Sequence, residues 1–302
     1  MTAKDLLKNL GIPIKNKENI KEYINITAPG IYRAGLELNG FHVSKNQKNI
    51  IIWGTKEQSW FDNFSKEESL KNIDRVLSVC PPLLILSTGI KESLKEEILK
   101  ICNKYNVPMA STDIHVSEIS SLLSIQLAEE FAPSERVHAC LVEIDGVGVM
   151  INGNSGIGKS EAVIELIQAG FNFISDDTVI IKRIGTKFIG APSEITNGFL
   201  EVRGLGLIDV PYIYGTRTIR EKTEIQLVIE LVENDNKKDN EDRLGIKKNY
   251  FEILGSKIPK VIVPVKQGKS VTSLIIAAVN LFIADKQGHK PLKEITKRIR
   301  GV

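Results

Sequence analysis

Residues 153–160 read Gly153-Asn154-Ser155-Gly156-Ile157-Gly158-Lys159-Ser160. The stretch satisfies the pattern G-x-x-x-x-G-K-[ST] at every fixed position, and the spacing has a physical reason. Glycines let consecutive backbone N–H groups turn inward around a polyphosphate, a lysine reaches the terminal phosphates, and the hydroxyl that follows ligates Mg²⁺. A helix beginning at the end of the loop adds the positive end of its dipole. Downstream, Ala162, Val163, Leu166 and Ile167 recur at helical spacing, with Gly170 where a C-terminal cap belongs. Upstream, the apolar run Val147 to Ile151 predicts a strand. Strand, loop and helix in that order mark a nucleotide-phosphate site, Gly153 to Ser160, and a bare glycine-rich turn has no need of it.

Further upstream, His138-Ala139-Cys140-Leu141-Val142-Glu143-Ile144 also predicts a strand, and Asp145-Gly146 separates it from the next. Asp-Gly between two apolar runs is a strong hairpin signal. The strand that feeds the loop is therefore expected to pair antiparallel with its predecessor, unlike the parallel sheet of GTPase-like folds. That arrangement is nearer to phosphoenolpyruvate carboxykinase. His138, at the start of the first strand, fits either a group near the terminal phosphate or a satisfied histidine at a strand end.

After the loop helix comes Phe171-Asn172-Phe173-Ile174-Ser175-Asp176-Asp177, then the apolar run Thr178 to Ile181. Two adjacent carboxylates between strands suit phosphoryl transfer, one holding Mg²⁺ directly or through water and the other taking a proton from an incoming hydroxyl. Glu201-Val202-Arg203-Gly204-Leu205-Gly206-Leu207-Ile208-Asp209-Val210 mixes charge and glycine in an apolar frame. A plain strand has little use for that mixture. Its glycines suit close backbone approach, and Glu201 and Arg203 are available to metal and phosphate. Residues 230–242 read as a polar mobile loop, immediately followed by Arg243. Pro264-Val265-Lys266-Gln267-Gly268-Lys269 fits a second anion site or an ordinary loop. Ser270 to Ala284 reads as a buried or docking helix, and Lys286 to Arg300 as a basic amphipathic tail.

The first 131 residues read differently. Strands at Asn49–Trp53, Leu83–Leu86 and Val107–Ala110 alternate with helices opening at Ser65 and Ser93 and one marked by Ile119, Leu122, Leu123 and Leu127. Alternation of this kind predicts a small parallel sheet covered by helices. No catalytic constellation shows there: His42 and His115 are isolated, and Ser87-Thr88-Gly89 after a strand fits a turn as well as a ligand site. The expected division is residues 1–131, regulatory or assembly-forming, and 132–302, catalytic, with Ala132-Pro133-Ser134-Glu135 as linker.

Composition narrows the classes. Forty basic against 37 acidic side chains leave +3 over 302 residues, too balanced for a nucleic-acid binder. With 42% hydrophobic residues the chain can build real cores, yet no apolar run is long enough to span a membrane, and the N-terminus lacks a signal-peptide pattern. Cys80, Cys102 and Cys140 are odd in number and without metal spacing, which suits reduced core cysteines in the cytoplasm.

Together the loop, the hairpin before it, Asp176-Asp177 after it and the decamer Glu201–Val210 resemble the bifunctional HPr kinase/phosphorylase family of low-GC Gram-positive bacteria. The resemblance covers nearly the whole chain. It implies an α/β fold with a small parallel N-terminal domain and a carboxykinase-like P-loop domain whose sheet is mixed. It implies phosphorylation of a serine on the phosphocarrier protein HPr from ATP or pyrophosphate, and removal of that phosphate by phosphorolysis to pyrophosphate. On this resemblance Asp177 is proton acceptor forward and donor in reverse, and His138, Lys159 and Arg243 stand near the transferred group. Ser160 and Glu201 match the Mg²⁺ ligands, Pro264–Lys269 is tied mainly to dephosphorylation, and the assembly is a homohexamer. The chain departs in one respect: where the family's dephosphorylation loop is often rich in arginine, it has Lys266 and Lys269, which bind phosphate without a bidentate fork. A competing reading is a nucleotide-dependent regulatory switch without phosphoryl transfer, and Asp176-Asp177 weighs against it. A third, a small-molecule kinase or carboxykinase relative, lacks a visible metabolite constellation.

Overall fold

The computed structural model describes residues 1–41, 49–233, 249–265 and 270–289. His42, Arg243, the Lys266–Lys269 segment and most of the basic tail therefore lie outside the described residues. The chain divides into two compact units, Met1–Phe131 and Ala132–Val302.

In the first unit, strands β1 (Ile31–Tyr32), β2 (Ile50–Trp53), β3 (Leu84–Leu86) and β4 (Met109–Ser111) form a parallel sheet in the order β1-β2-β3-β4. Its helices are α1 (Ala3–Lys8), α2 (Gly35–Leu38), α3 (Thr55–Phe61), α4 (Lys66–Leu77), α5 (Glu92–Lys104) and α6 (Val116–Glu130). Strands buried on both faces read as unbroken apolar runs. Ile51, Trp53, Leu84 and Leu86 pack with Ile73 and Val76 of α4 and Ile98 of α5. Their alternates Ile50, Ile52 and Ile85 pack with Leu6 and Leu7 of α1 and Leu123 of α6. Ser65 caps α4 by accepting from the Glu68 N–H. The sequence signal missed β1, which is two residues long. Ser87-Thr88-Gly89 is filled by the chain itself: the Ser87 hydroxyl donates to the Ile114 carbonyl, and a Cβ on Gly89 would meet Thr55 Oγ1 at 2.3 Å.

The second unit contains β5 (Ser134–Val137), β6 (Cys140–Ile144), β7 (Val147–Gly153), α7 (Lys159–Gln168), β8 (Asn172–Ser175), β9 (Val179–Ile184) and β10 (Lys187–Pro192). It continues through β11 (Phe199–Val202), β12 (Gly206–Asp209), α8 (Val210–Tyr214), β13 (Thr223–Glu233), β14 (Asn249–Ile253), β15 (Ser256–Val265) and α9 (Val271–Lys286). Nine strands join in the order β5-β9-β10-β13-β7-β6-β8, with β15 also on β13 and β14 on β15. Strand β7 pairs antiparallel with β6 and parallel with β13, so the sheet is mixed around the loop-bearing strand.

The hairpin turns at Asp145 and Gly146, with φ of +49° and +77°. Two positive φ values are what a two-residue type I′ turn requires, and Asp-Gly supplies them at low steric cost. Period-two alternation then sorts the strands. Cys140, Val142, Val149 and Ile151 face a core shared with α7 and α9, while Leu141 and Met150 face a second core under β9 and β10. In β13 the alternation slips: Ile225 lies with Val228 on one side, and Leu227 and Ile229 on the other. A register irregularity between Ile225 and Leu227 accounts for it, because one extra residue reverses the parity of everything after it.

Three expectations need correction. Ser134 and Glu135 are not linker; they pair with Lys182 and Ile181 of β9. Both are exposed, so this strand carries no apolar alternation to announce it. His138 sits in a bend between β5 and β6 and does not open a strand. Residues 230–233 likewise belong to β13 and not to a loop: Leu231 has Gly153 beside it and Val263 on its other flank.

Candidate active site

The loop hangs from the end of β7 and runs into α7. Gly153, Gly156 and Gly158 have φ of +148°, +78° and +101°. At Gly153 a side chain is also excluded by space, since a Cβ would lie 2.7 Å from the Leu231 carbonyl of β13. Ile157, almost fully buried, pins the loop into the core below. Helix α7 starts at Lys159 and ends in a glycine cap, where Phe171 N–H donates to Leu166 O and Gly170 N–H to Ile167 O. The Lys159 side chain is 7% exposed, and its ammonium donates to the carbonyls of Gly153 at 2.9 Å and Asn154 at 3.2 Å. Those bonds lay the charge along the loop.

The two adjacent aspartates occupy opposite environments. Asp176 is buried, and three donors hold its carboxylate. Cys140 Sγ (2.8 Å) and Ser160 Oγ (3.3 Å) share Oδ1, and the backbone N–H of Glu201 (3.0 Å) takes Oδ2. A buried carboxylate is tolerated only with such partners. Asp177 follows with φ of +62°. Asp is among the few residues other than glycine that take this left-handed conformation readily. Its carboxylate is 61% exposed and lies 2.9 Å from His138 Nδ1. Burial, and secondarily the neighbouring Asp176 carboxylate, push the Cys140 thiol well above its ordinary range. It remains S–H and acts as a donor.

The β11–β12 hairpin closes another side. Leu200 and Val202 point into the core below α7, and Phe199, Glu201 and Arg203 point outward. The Arg203 guanidinium lies over the loop, its two Nη atoms 3.1 Å from where a Gly156 Cβ would stand. Gly156 is therefore constrained by its φ and by that guanidinium together. Glu201 is tied to the site through its backbone N–H on Asp176.

The structure thus brings together the loop residues Gly153, Asn154, Ser155, Gly156, Ile157, Gly158, Lys159 and Ser160 with Asp176, Asp177, His138, Glu201 and Arg203. Two contributors carry weak sequence signals. Cys140 reads as one more apolar position in phase with Val142, and nothing local shows that it meets Asp176. Arg203 is one charge in a motif full of exceptions. As to metal, no cluster of three His, Cys, Asp or Glu side chains stands together among the described residues. The oxygen donors at hand are the Ser160 hydroxyl and carboxylates, a set that suits a cation such as Mg²⁺ held largely by phosphates and water.

Two family models match the chain: the HPr Serine kinase N terminus over residues 1–127 and the HPr Serine kinase C-terminal domain over residues 129–299. The chain is 38% identical over 296 residues to the HPr kinase/phosphorylase of Mycoplasmopsis pulmonis, covering 97% of this chain and 96% of that one. It is 36% identical over 293 residues to the HPr kinase/phosphorylase of Clostridium beijerinckii, covering 96% and 94%. Among solved structures, the Hpr(Ser) kinase/phosphatase from Coxiella burnetii is 30% identical over 53% of this chain and 98% of that one, with a TM-score of 0.47.

Proposed function

The chain belongs to the HPr serine kinase family, and from that premise we propose how its own residues carry out the phosphorylation of a serine on HPr and its reversal. The observation that carries the reading is the split pair. Asp176 is buried against Ser160 of the phosphate loop, and Asp177, next in the chain, is exposed beside His138. A regulatory switch needs the first arrangement and has no use for the second.

In the forward direction the donor's polyphosphate lies in the loop, its charge met by backbone N–H groups, Lys159 and Arg203. Ser160 would hold Mg²⁺, with Glu201 and the Asp176 carboxylate close by, and the ion would supply positive charge against the charge that develops on transfer. The serine hydroxyl gives its proton to the Asp177 carboxylate as its oxygen bonds to phosphorus and the bond to the leaving phosphate breaks. His138 Nδ1 holds that carboxylate in place. In the reverse direction an oxygen of inorganic phosphate attacks, the serine–phosphorus bond breaks, Asp177 returns the proton to the serine oxygen, and pyrophosphate leaves. Arg243, Lys266 and Lys269 are assigned by resemblance alone, Arg243 near the transferred group and the lysines to the reverse reaction. The donor as ATP or pyrophosphate, the homohexamer and the cytoplasmic setting belong to the same proposal. Among the described residues no helix is long and apolar enough to cross a membrane.

The test is transfer from Mg-ATP to purified HPr, followed by excess inorganic phosphate. Phosphoserine on HPr, then its loss with release of pyrophosphate, is the expected result. A chain that binds ATP and leaves HPr unmodified belongs to the switch reading. Light scattering decides the assembly, since a homohexamer gives six times the chain mass.

A further inference from the structure

Strand β8 meets β6 with a slip in register. Val142 pairs with Phe173 and Leu141 with Ser175, so one step along β6 spans two along β8 and Ile174 is the extra residue. A bulge of this kind reverses which face the following side chains take. With unbroken alternation Ser175 and Asp177 would share the face of Phe173. With the bulge Asp176 takes it, one step beyond the Leu141–Ser175 pair and opposite Cys140. Directly opposed residues bring their Cβ atoms within about 5 Å. Cys140 Sγ accordingly lies 2.8 Å from Asp176 Oδ1, on the side of the sheet that α7 covers. The backbone N–H of Asp177 also donates toward that sulfur.

Asp177 is presented by a tight turn. The Thr178 N–H donates to the Asp176 carbonyl at 2.7 Å, across Asp177 with its φ of +62°. The Ser175 hydroxyl closes the same turn on the Thr178 carbonyl at 2.7 Å. These bonds are internal to residues 175–178, so they fix the shape of the turn and not its place. Its place depends on the partners of the Asp176 carboxylate. The Glu201 N–H at 3.0 Å comes from the β11–β12 hairpin, and the Ser160 hydroxyl at 3.3 Å from the phosphate loop. Cys140, fully buried in β6, is the partner that belongs to the central sheet.

We propose that Cys140 is a positioning residue for phosphoryl transfer: its thiol ties the Asp176–Asp177 turn to β6 and so sets where the Asp177 carboxylate meets the acceptor serine. The proposal rests on the reading of the chain as a kinase of HPr. A serine at this position keeps a donor. An apolar side chain fills the space and leaves Asp176 Oδ1 with the Ser160 hydroxyl alone. The two roles open to a buried cysteine therefore rank substitutions in opposite order. Packing favours valine over serine, and holding the carboxylate favours serine over valine.

The experiment measures both directions of transfer on HPr for wild type, Cys140→Ser and two variants without a donor, Cys140→Val and Cys140→Ala. Cooperative melting serves as the check on folding. The same proteins are read by infrared spectroscopy for the S–H bands of the three free cysteines. The expected result is a kcat lowered roughly 10- to 100-fold in both directions by the donorless variants, the usual cost of losing a group that orients an active-site ligand. KM for HPr stays unchanged, and Cys140→Ser recovers most of the loss. The lowest-frequency S–H band, that of a thiol bonded to a carboxylate, vanishes in Cys140→Ser. A folded donorless variant whose kcat equals or exceeds that of Cys140→Ser overturns the proposal and leaves the thiol a packing residue. Loss of a higher band in place of the lowest also overturns it, because the thiol then does not donate to Asp176. Wild type that binds Mg-ATP but transfers nothing to HPr overturns the functional reading and with it the positioning role, whereas active wild type with unaffected variants overturns only the role of Cys140.

Discussion

At the scale of single residues, Asp177 is the position on which the proposed transfer turns. Its φ of +62° is a conformation that Asn also tolerates. Asp177→Asn should therefore fold and bind nucleotide while losing both activities by roughly 10²–10⁴, the usual worth of a general acid–base group. A variant that keeps phosphorylation and phosphorolysis would remove Asp177 from the mechanism. Arg203→Ala should lower kcat in both directions by about 10²-fold or more, with Arg203→Lys recovering part, since lysine restores charge without the fork. An unchanged kcat would leave the guanidinium a structural cover for Gly156. A third prediction concerns pH. Burial raises the Cys102 thiol from 9.0 to about 12, so the fold favours its neutral form. Stability from this source is full below pH 9.0 and is lost as the pH climbs toward about 12, at up to about 1.4 kcal/mol per unit for one group. Denaturant titrations across that range should show a shallower decline in Cys102→Ala than in wild type. Equal slopes would mean the thiol is not sealed. Of these residues the sequence declares the lysine, the serine and the aspartate pair, because a spacing rule governs them. Cys140 is silent, because its role exists only once β6 lies beside the end of β8.

At the scale of elements, the hairpin before the loop was legible for a local reason: Asp145-Gly146 meets the φ demands of one turn type. Strand β5 was not, because an exposed edge strand is built from Ser, Glu and Arg and shows no period. His138 was misplaced for the same reason, since the bend that carries it is set by β5 on one side and β6 on the other. Glycine within β7 is explained only by the fold. A Cβ on Gly148 would lie 2.2 Å from the Glu224 carbonyl, where β13 presses close just before its irregular register. Gly148→Ala should force the two strands apart, costing roughly 1–3 kcal/mol as in other overpacked sites. A lowered Tm with weaker Mg-ATP binding is expected, since the loop hangs from that strand. An unchanged Tm would mean that β13 yields freely.

At the scale of the whole molecule, two units each enclose their own cores, and every described site residue lies in the second. The alternation of strand and helix over the first 131 residues announced a parallel sheet. The function of that half is not announced by any residue pattern within it, because its candidate turn at Ser87-Thr88-Gly89 is packed by Thr55 and Ile114. A fragment of residues 132–302 is expected to bind Mg-ATP within about threefold of the full chain, given that the phosphate loop and its supports are local to it. A folded fragment by circular dichroism that fails to bind would place part of the nucleotide site in the first unit.

The left-handed backbone at Asp177 has a consequence for inheritance. Asp, Asn and Gly are the residues that such a position accepts at little strain, and in the genetic code both Asn and Gly are one base substitution from Asp. Drift at this codon therefore runs first into proteins that keep the turn, the buried Asp176 and the phosphate loop but have lost the proposed proton carrier. The ancestry of a binding-only descendant is built into the same turn: a duplicated copy would need a single nucleotide change to become a sensor of nucleotide.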